Sequence, residues 1–252
     1  MSGVEPGTPC WADLATPNLA DARRFYRQLF GWTDRVSRQP EAGGYTTFLL
    51  DGRAVAGAGP PAVSDQVSVW STYVATDDAD LAATRVEAAG GQVLVAPFDV
   101  FDQGRMGVFA DPAGATFSVW QPMAMRGAEV LWVPGAMAWN ELVTPDPEGA
   151  GRFYELVFGW HPMDEPTGSI TYTGWRCGAR IVAGMTSPPE GRPVEVNAYW
   201  SVFFAVADAA AADRAVELGG TVLVPPRDSP QGRRAILRDP QGALFAILAL
   251  AA

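Results

Sequence analysis

The chain has 252 residues, of which 48% are hydrophobic and 18% charged, and its formal net charge is −10. This composition is typical of a globular protein with one large or two medium domains and a buried core. The acidic balance argues against a nucleic-acid partner, which needs clustered Lys and Arg, and no apolar run is long enough to predict a membrane span.

One stretch of sequence occurs twice and predicts two homologous domains. Residues 11–32, WADLATPNLADARRFYRQLFGW, return 128 positions later as residues 139–160, WNELVTPDPEGAGRFYELVFGW, with 11 of 22 positions identical. Three shorter motifs keep the same offset: Pro-Gly at 6–7 and 134–135, Gln-Gly-Arg at 103–105 and 231–233, and Asp-Pro-x-Gly at 111–114 and 239–242. We expect domains over residues 1–124 and 125–252, with their boundary inside residues 122–133.

Taken in chain order, the first copy predicts a strand, a helix and three strands, twice over. A strand near 9–16 precedes a helix opened by Pro17-Asn18, whose apolar residues recur at helical spacing. Short strands are expected near 33–38, 45–50 and 53–59. The pattern then restarts with a strand at 69–76, a helix capped by Asp77 or Asp78, and a stop at Gly90-Gly91. Strands near 92–97, 105–110 and 115–121 complete the copy.

The second copy begins its helix with a favoured pair, in which Asp146 caps and Pro147 takes the first helical position. The two cysteines, Cys10 and Cys177, occupy non-equivalent places in the copies and are predicted to be unpaired, which suits a reducing compartment. Because the N-terminal residues also lack the pattern of a signal peptide, we expect a cytoplasmic protein.

Two motifs carry a resemblance to a known family. F-Y-x-x-x-F-G-W closes the first helix and D-P-x-G precedes the last strand in both copies. This pattern resembles the vicinal oxygen chelate superfamily, which includes glyoxalase I, extradiol dioxygenases, fosfomycin-resistance enzymes and bleomycin-binding proteins. It looks closest to two-domain glyoxalase-like proteins of actinobacteria, among them a mycobacterial antigen and proteins from antibiotic clusters. The resemblance implies an α+β fold of tandem domains, in which each pair of βαβββ units curls a mixed sheet into a cup.

Enzymes of this superfamily line the cup with His, Glu or Gln ligands for a divalent metal, and the corresponding positions here hold other residue types. By the resemblance, the ligand positions align with Trp11 and Trp139, with Ser71 and Ser201, with Ser118 and Ala246, and with residues 54–58 and 181–185. The only histidine is His161, at a predicted helix-to-strand corner, where an exposed or locally bonded imidazole is favoured over a catalytic base. We therefore expect no metal and no cofactor.

Aromatic side chains occupy several positions on the face where the family's metal ligands would be. Because side chains alternate between the two faces of a strand, residues two positions apart share a face. The residues predicted to line the two cups are Trp11, Ser71, Tyr73, Thr116, Ser118 and Trp120 in the first copy, and Trp139 and Phe203 in the second. They favour a flat apolar pocket for a planar ligand, and the alternative is that the rings fill a cup without a ligand. The first cup is expected to be the better site. Trp32 and Trp160, at the helix exits, are expected in the core or in packing between domains.

An acid follows each first-strand Trp on the same face, as Asp13 and Glu141. A desolvated carboxylate needs a partner or a shifted pKa, and Arg105 and Arg233 are the predicted partners. A structural ion pair is the favoured interpretation, and a ligand-anchoring carboxylate or general base is the alternative.

The favoured function is a metal-free protein that binds a planar hydrophobic metabolite or antibiotic, for sequestration or as an accessory to biosynthesis. The alternative is a metal-independent enzyme (an isomerase, a lyase or a hydroxylase-associated protein) on a polyketide-like substrate, with Asp13 or Glu141 as acid or base. A dimerisation scaffold without a ligand is the third hypothesis. The sequence leaves open a monomer with internally paired domains or a homodimer.

Overall fold

A computed structural model describes residues 4–61, 67–167, 170–188, 198–229 and 231–250. Within these ranges the chain forms sixteen strands and four α-helices. The helices are α1 Leu19–Phe30, α2 Ala79–Ala88, α3 Pro147–Phe158 and α4 Ala211–Glu217. The strands of the first copy are β1 Pro9–Ala15, β2 Thr33–Val36, β3 Thr46–Leu50, β4 Arg53–Gly59, β5 Val69–Ala75, β6 Gln92–Val100, β7 Gly104–Ala110 and β8 Thr116–Pro122. Those of the second copy are β9 Met137–Val143, β10 His161–Thr167, β11 Ile170–Cys177, β12 Arg180–Thr186, β13 Tyr199–Val206, β14 Thr221–Ser229, β15 Gly232–Arg238 and β16 Leu244–Leu250.

The strands form two eight-stranded mixed sheets, one from each copy. Their orders are β2-β3-β4-β1-β5-β8-β7-β6 and β10-β11-β12-β9-β13-β16-β15-β14. Parallel pairing joins β1 to β4 and β5 to β8, while neighbours such as β3 and β4 or β7 and β8 pair as antiparallel strands. The predicted α+β fold of tandem βαβββ domains is therefore confirmed. None of the described helices is long and apolar enough to cross a membrane.

Three of the four helices, α1, α2 and α3, begin where a short polar side chain accepts a hydrogen bond from a backbone N–H of the first turn. The side chain of Asn18 accepts a hydrogen bond from the backbone N–H of Asp21, and Asp146 caps α3 in the same way. Of the two predicted caps for α2, Asp78 is the one whose carboxylate accepts from the backbone, at Leu81. The helix α1 ends at Gly31, whose φ of 73° is a left-handed conformation that favours glycine.

Tertiary packing divides the chain into two compact units that interleave the copies. Unit 1 consists of Met1–Cys10, Thr72–Gly127 and Asn140–Trp200, and unit 2 consists of Trp11–Ser71, Ala128–Trp139 and Ser201–Ala252. Each unit therefore combines one half of the first copy with one half of the second. Unit 1 has a core built around α2 and α3, and unit 2 has one built around α1 and α4. The sequence-based domain boundary near residue 124 stays a prediction.

The repeated motifs join the two halves within unit 2. The Tyr26 hydroxyl donates to Asp239 Oδ2 at 2.9 Å and accepts from Trp70 Nε1 at 2.8 Å, and all three groups are buried. Trp32 Nε1 donates to the carbonyl oxygen of Gly135 at 2.6 Å. Thus the F-Y and F-G-W residues of the first copy bond to the D-P-x-G and Pro-Gly residues of the second.

Unit 1 repeats this arrangement with the copies exchanged. The Tyr154 hydroxyl donates to Asp111 Oδ2 at 3.1 Å and accepts from Trp200 Nε1 at 2.8 Å, while Trp160 Nε1 donates to the Gly7 carbonyl at 2.7 Å. Burial raises the pKa of the Asp111 carboxyl, and it raises the pKa of Tyr154 well above its ordinary value. Trp32 and Trp160 are both buried, which confirms that they are core residues.

Candidate functional site

Each sheet has one face packed on helices, and the predicted site residues other than Arg105 and Arg233 lie on or near the opposite face. In β1, Ala12 and Leu14 belong to the core around α1, so Trp11 and Asp13 point the other way. In β8, Phe117 and Val119 belong to the core around α2, which places Ser118 and Trp120 on the opposite face. We call this second surface of each sheet its helix-free face.

A chain of polar side chains lies on the helix-free face of the first sheet in unit 2. Trp11 Nε1 donates to the Tyr45 hydroxyl at 3.3 Å, and that hydroxyl donates to Asp13 Oδ2 at 3.2 Å. Gly57 lies opposite Asp13, and a Cβ atom there would be only 1.9 Å from the Tyr45 hydroxyl oxygen. A glycine is therefore needed for Tyr45 to reach across β4.

Tyr45 was not predicted from the sequence, although a signal for it exists in the repeat. The second copy has Tyr172 and Gly184 in the corresponding strands, and Gly184 lies opposite Glu141 as Gly57 lies opposite Asp13. A tyrosine and a glycine that recur with the Trp-x-acid pattern could have pointed to this group.

The part of the first sheet in unit 1 presents a cross-strand row of large apolar side chains. Phe98 of β6 lies opposite Met106 of β7, which lies opposite Trp120 of β8. We call these three residues the aromatic row. Phe98 is 45% exposed, while Trp120 is 6% exposed and is fixed by a 2.8 Å bond from its Nε1 to the carbonyl oxygen of Met125.

The row beside it contains Tyr73 and Ser118, which lie opposite each other in β5 and β8. The Tyr73 hydroxyl lies 3.9 Å from the sulfur of Met106 in the aromatic row. The structure thus brings together the predicted residues Tyr73, Ser118 and Trp120. Thr116 shares their face at the exposed start of β8, and Ser71 is half-buried in the part of β5 that belongs to unit 2.

The second sheet has different side chains at the equivalent positions in unit 2. Arg227 of β14 lies opposite Arg234 of β15, which lies opposite Leu248 of β16. We call Arg227 and Arg234 the arginine pair. The guanidinium carbon of Arg234 lies 5.8 Å from the ring centroid of Phe203, within the range of a cation–π contact.

Trp139 and Glu141, two further predicted residues of the second copy, are also on or near this face. Trp139 packs against the apolar cluster that contains Phe203 and Leu248, and its ring centroid lies 5.9 Å from that of Trp132. Glu141 is buried in the part of β9 that belongs to unit 1.

The predicted partners of the two acids are wrong. Arg105 donates to Asp80 and Asp99 from all three of its guanidinium nitrogens, and these bonds raise the Arg105 pKa and lower that of Asp80. In the second copy, Arg233 pairs with Asp228.

The physical reason is the two-residue period of a strand. Arg105 and Arg233 each precede a residue on the helix-free face, Met106 and Arg234 respectively, so they point to the other face. The strand expected near 105–110 is present as β7, but the face that Arg105 occupies was predicted wrongly.

The donor groups present do not fit the family's divalent metal site. The strand positions carry Trp11, Ser118 and Ala246, which offer no imidazole, thiolate or carboxylate. His161 begins β10 on the surface, with its Nδ1 3.2 Å from Glu155 Oε1. Within the part of the chain that the structure describes, no group of three His, Cys, Asp or Glu side chains is placed to hold a metal ion.

The tandem βαβββ fold and the side chains on the helix-free faces define a protein of the glyoxalase type, and sequence comparison agrees. Residues 10–119 and 135–247 match the Glyoxalase/Bleomycin resistance protein/Dioxygenase superfamily, and the chain belongs to this superfamily. It is 45% identical over 265 residues to the anthracycline biosynthesis protein DnrV of Streptomyces peucetius, covering 99% of this chain and 96% of that protein. It is also 41% identical over 254 residues to the protein CFP32 of Mycobacterium tuberculosis, with 98% and 96% covered.

Solved structures of the superfamily share the fold. The Mn(II)-bound glyoxalase from Novosphingobium aromaticivorans matches with a TM-score of 0.67 and 18% identity, over 97% of this chain and 82% of that one. The 2,3-dioxygenase LapB from Pseudomonas sp. KL28 matches with a TM-score of 0.63 and 14% identity, over 100% and 94%. At these identities the likeness concerns the fold alone.

Proposed function

We propose that this chain is a cytoplasmic, metal-independent protein that binds a planar hydrophobic metabolite of the aromatic polyketide type, for sequestration or as an accessory to antibiotic biosynthesis. The observation that carries this proposal is the aromatic row of Phe98, Met106 and Trp120. The row runs from a buried indole to a phenyl ring that is 45% exposed, so a flat apolar surface is accessible at one end.

These side chains suit a planar ring system for physical reasons. Trp and Phe offer large flat areas with few rotatable bonds, and Met adapts its thioether to the edge of an aromatic ring. The relatives DnrV and DauV are named as anthracycline biosynthesis proteins, and they are 45% and 44% identical to this chain. Anthracyclines contain a flat anthraquinone, which is the kind of surface that the aromatic row would cover.

The metal-independent part of the proposal is supported by the donor groups. Trp11, Ser118 and Ala246 at the family's ligand positions cannot supply the nitrogen and carboxylate ligands that a borderline metal prefers. Binding would then depend on apolar contact area and on a few hydrogen bonds to ligand oxygens.

Calorimetric titration of EDTA-treated protein with 1,4-dihydroxyanthraquinone tests the proposal. We expect saturable binding, and we expect Phe98→Arg to raise the Kd at least about tenfold, which is about 1.4 kcal/mol of binding free energy. The reason is that the change replaces an apolar contact with a hydrated charge. Leu156→Arg is the matched control, because Leu156 is an exposed apolar residue of α3 outside the row. Absence of saturable heat, equal weakening in both variants, or binding only after added divalent metal would contradict the proposal.

A second function is favoured by the Trp11–Tyr45–Asp13 chain. A carboxylate that accepts from a phenol at 3.2 Å can act as a general base, so a metal-independent isomerase, lyase or hydroxylase-associated protein on a polyketide-like substrate is the alternative. Glu141 is the corresponding acid of the second copy. Deuterium uptake at the α-carbon of a β-diketone, followed by NMR in D₂O, would reveal such chemistry. It should disappear in Asp13→Asn and persist in Asp228→Asn, a change to an exposed carboxylate.

A further inference from the structure

The two sheets differ in charge at equivalent positions of their helix-free faces. Where the first sheet has Phe98 opposite Met106, the second has Arg227 opposite Arg234. The third member of each row is apolar, Trp120 in the first sheet and Leu248 in the second. The two rows therefore have the same strand register, but two of their side chains are apolar in the first sheet and cationic in the second.

Two like charges directly opposite each other on one face of a sheet destabilise it. An anion between the two guanidinium groups would offset this repulsion. Arg227 is exposed and has no ion pair among the described residues, while Arg234 is half-buried over the Phe203 ring. The contact with the Phe203 ring restricts the positions that the Arg234 guanidinium can take. A guanidinium can donate two parallel hydrogen bonds to one carboxylate.

The surroundings of the arginine pair are those of a site for a flat molecule with polar substituents. Phe203, Ala246 and Leu248 form one buried apolar cluster, against which Trp139 packs. Ser201, two residues before Phe203 on the same face, is 2% exposed, and its hydroxyl has no hydrogen-bond partner in the described ranges. An unsatisfied buried hydroxyl is costly, and a ligand oxygen could satisfy it.

We propose that the arginine pair binds the carboxylate of a planar aromatic acid whose rings lie on the apolar cluster around Phe203. The second sheet would then take acidic aromatic ligands and the first sheet neutral ones. The ring-binding part of this inference rests on the proposed function, whereas the selectivity for an anion rests on Arg227 and Arg234 alone.

The test compares two probes that differ in charge, anthraquinone-2-carboxylate and its neutral carboxamide, by calorimetry at pH 7. We expect the full-length protein to bind the carboxylate at least about tenfold more tightly than the carboxamide, and this ratio to fall with added salt. The double variant Arg227→Phe/Arg234→Met installs the residues of the first sheet and should bring the ratio to within about twofold of one. Arg233→Met is the matched control, because Arg233 neighbours Arg234 but pairs with Asp228 on the other face.

The outcomes separate this inference from the proposed function. Equal binding of both probes to the unaltered protein would overturn the anion site and leave the neutral aromatic site standing. A carboxylate preference that survives in the double variant would also overturn it, since the anion would then bind elsewhere. A preference that disappears in the double variant but also in Arg233→Met would show a general charge effect and refute the assigned pair. Arg234→Lys should retain part of the ratio if the charge acts at this position, and melting curves verify that each variant is folded.

Discussion

Replacing Tyr154 by phenylalanine tests whether the repeated motifs hold unit 1 together. The change removes one oxygen atom and creates almost no empty space. That oxygen donates to Asp111 Oδ2 at 3.1 Å and accepts from Trp200 Nε1 at 2.8 Å. All three side chains are buried, so water cannot take its place.

The expected loss of stability follows from the two groups that lose their partner. A hydrogen bond to a charged acceptor contributes about 1.5–3 kcal/mol, and a buried donor left without a partner costs about 1–3 kcal/mol. Asp111 Oδ1 keeps its hydrogen bonds from the backbone N–H groups of Ala113 and Ala115, so only Oδ2 of the carboxylate loses its donor. We therefore expect Tyr154→Phe to lower the free energy of unfolding by about 2.5–4 kcal/mol at pH 7.

The effect should depend on pH with a defined sign. Burial is the main cause that raises the pKa of Asp111 in the folded state, and the hydrogen bond from Tyr154 opposes it. When a carboxyl has a higher pKa in the folded state than its unfolded value of about 3.9, the protein binds more protons folded than unfolded. The free energy of unfolding therefore falls as pH rises through the folded pKa. Removing the hydroxyl raises the folded pKa further, so the difference between variant and wild type should be smaller near pH 4 than at pH 7.

Urea denaturation followed by circular dichroism at both pH values is the assay, and Trp175→Phe is the control in the same core. Trp175 is buried, its indole N–H has no hydrogen-bond partner in the described part of the chain, and Phe48 stands at the equivalent place of the first copy. Loss of that unsatisfied donor offsets the lost ring contacts, so its effect should stay within about 1 kcal/mol. If Tyr154→Phe costs no more than Trp175→Phe, or costs the same at both pH values, the assigned role of the hydroxyl is wrong.

Three further outcomes follow from the structure. Tyr26→Phe should destabilise unit 2 as much as Tyr154→Phe destabilises unit 1, because the two hydroxyls make the same pair of hydrogen bonds. If the two variants shift the urea midpoint by amounts that differ severalfold, the two hydroxyls do not have equivalent roles. Gly57→Ala should cost about 1–3 kcal/mol in urea denaturation because its Cβ would lie 1.9 Å from a tyrosine hydroxyl, whereas Gly151→Ala, with its nearest atom at 3.9 Å, should be neutral or stabilising. Thiol labelling of the native protein should modify Cys177 and leave Cys10 intact, since Cys10 is fully buried and burial raises its pKa; early labelling of both would refute this.

The order of helices and strands was predictable because it depends on local sequence signals, and the same signals occur in both copies. The start of α1 after Pro17-Asn18, the cap Asp146 and the bounds of β4 at Arg53–Gly59 agree with the sequence-based expectation. The burial of Trp32 and Trp160 was likewise predictable, since both close an amphipathic helix with the same motif. Such features need only neighbouring residues, so a single sequence contains the information.

The candidate site was predictable only where strand alternation runs without interruption. Trp11 and Asp13, or Ser118 and Trp120, share a face as expected. Tyr45 was missed because its hydroxyl reaches Asp13 across an intervening strand over Gly57, and no spacing along the chain encodes that reach. Arg105 and Arg233 were placed on the wrong face, because one residue of register exchanges the two faces of a strand.

By itself, the amino-acid sequence determined the repeat and the tandem βαβββ fold. The tertiary structure alone decided which half packs with which. Each copy has its own F-Y and D-P-x-G motifs, so pairing within a copy and pairing across copies use identical residues. The bonds of Tyr26 to Asp239 and of Tyr154 to Asp111 show that the pairing crosses between copies. Identical local motifs cannot specify their partners; only the closure of two hydrophobic cores from mixed halves does so.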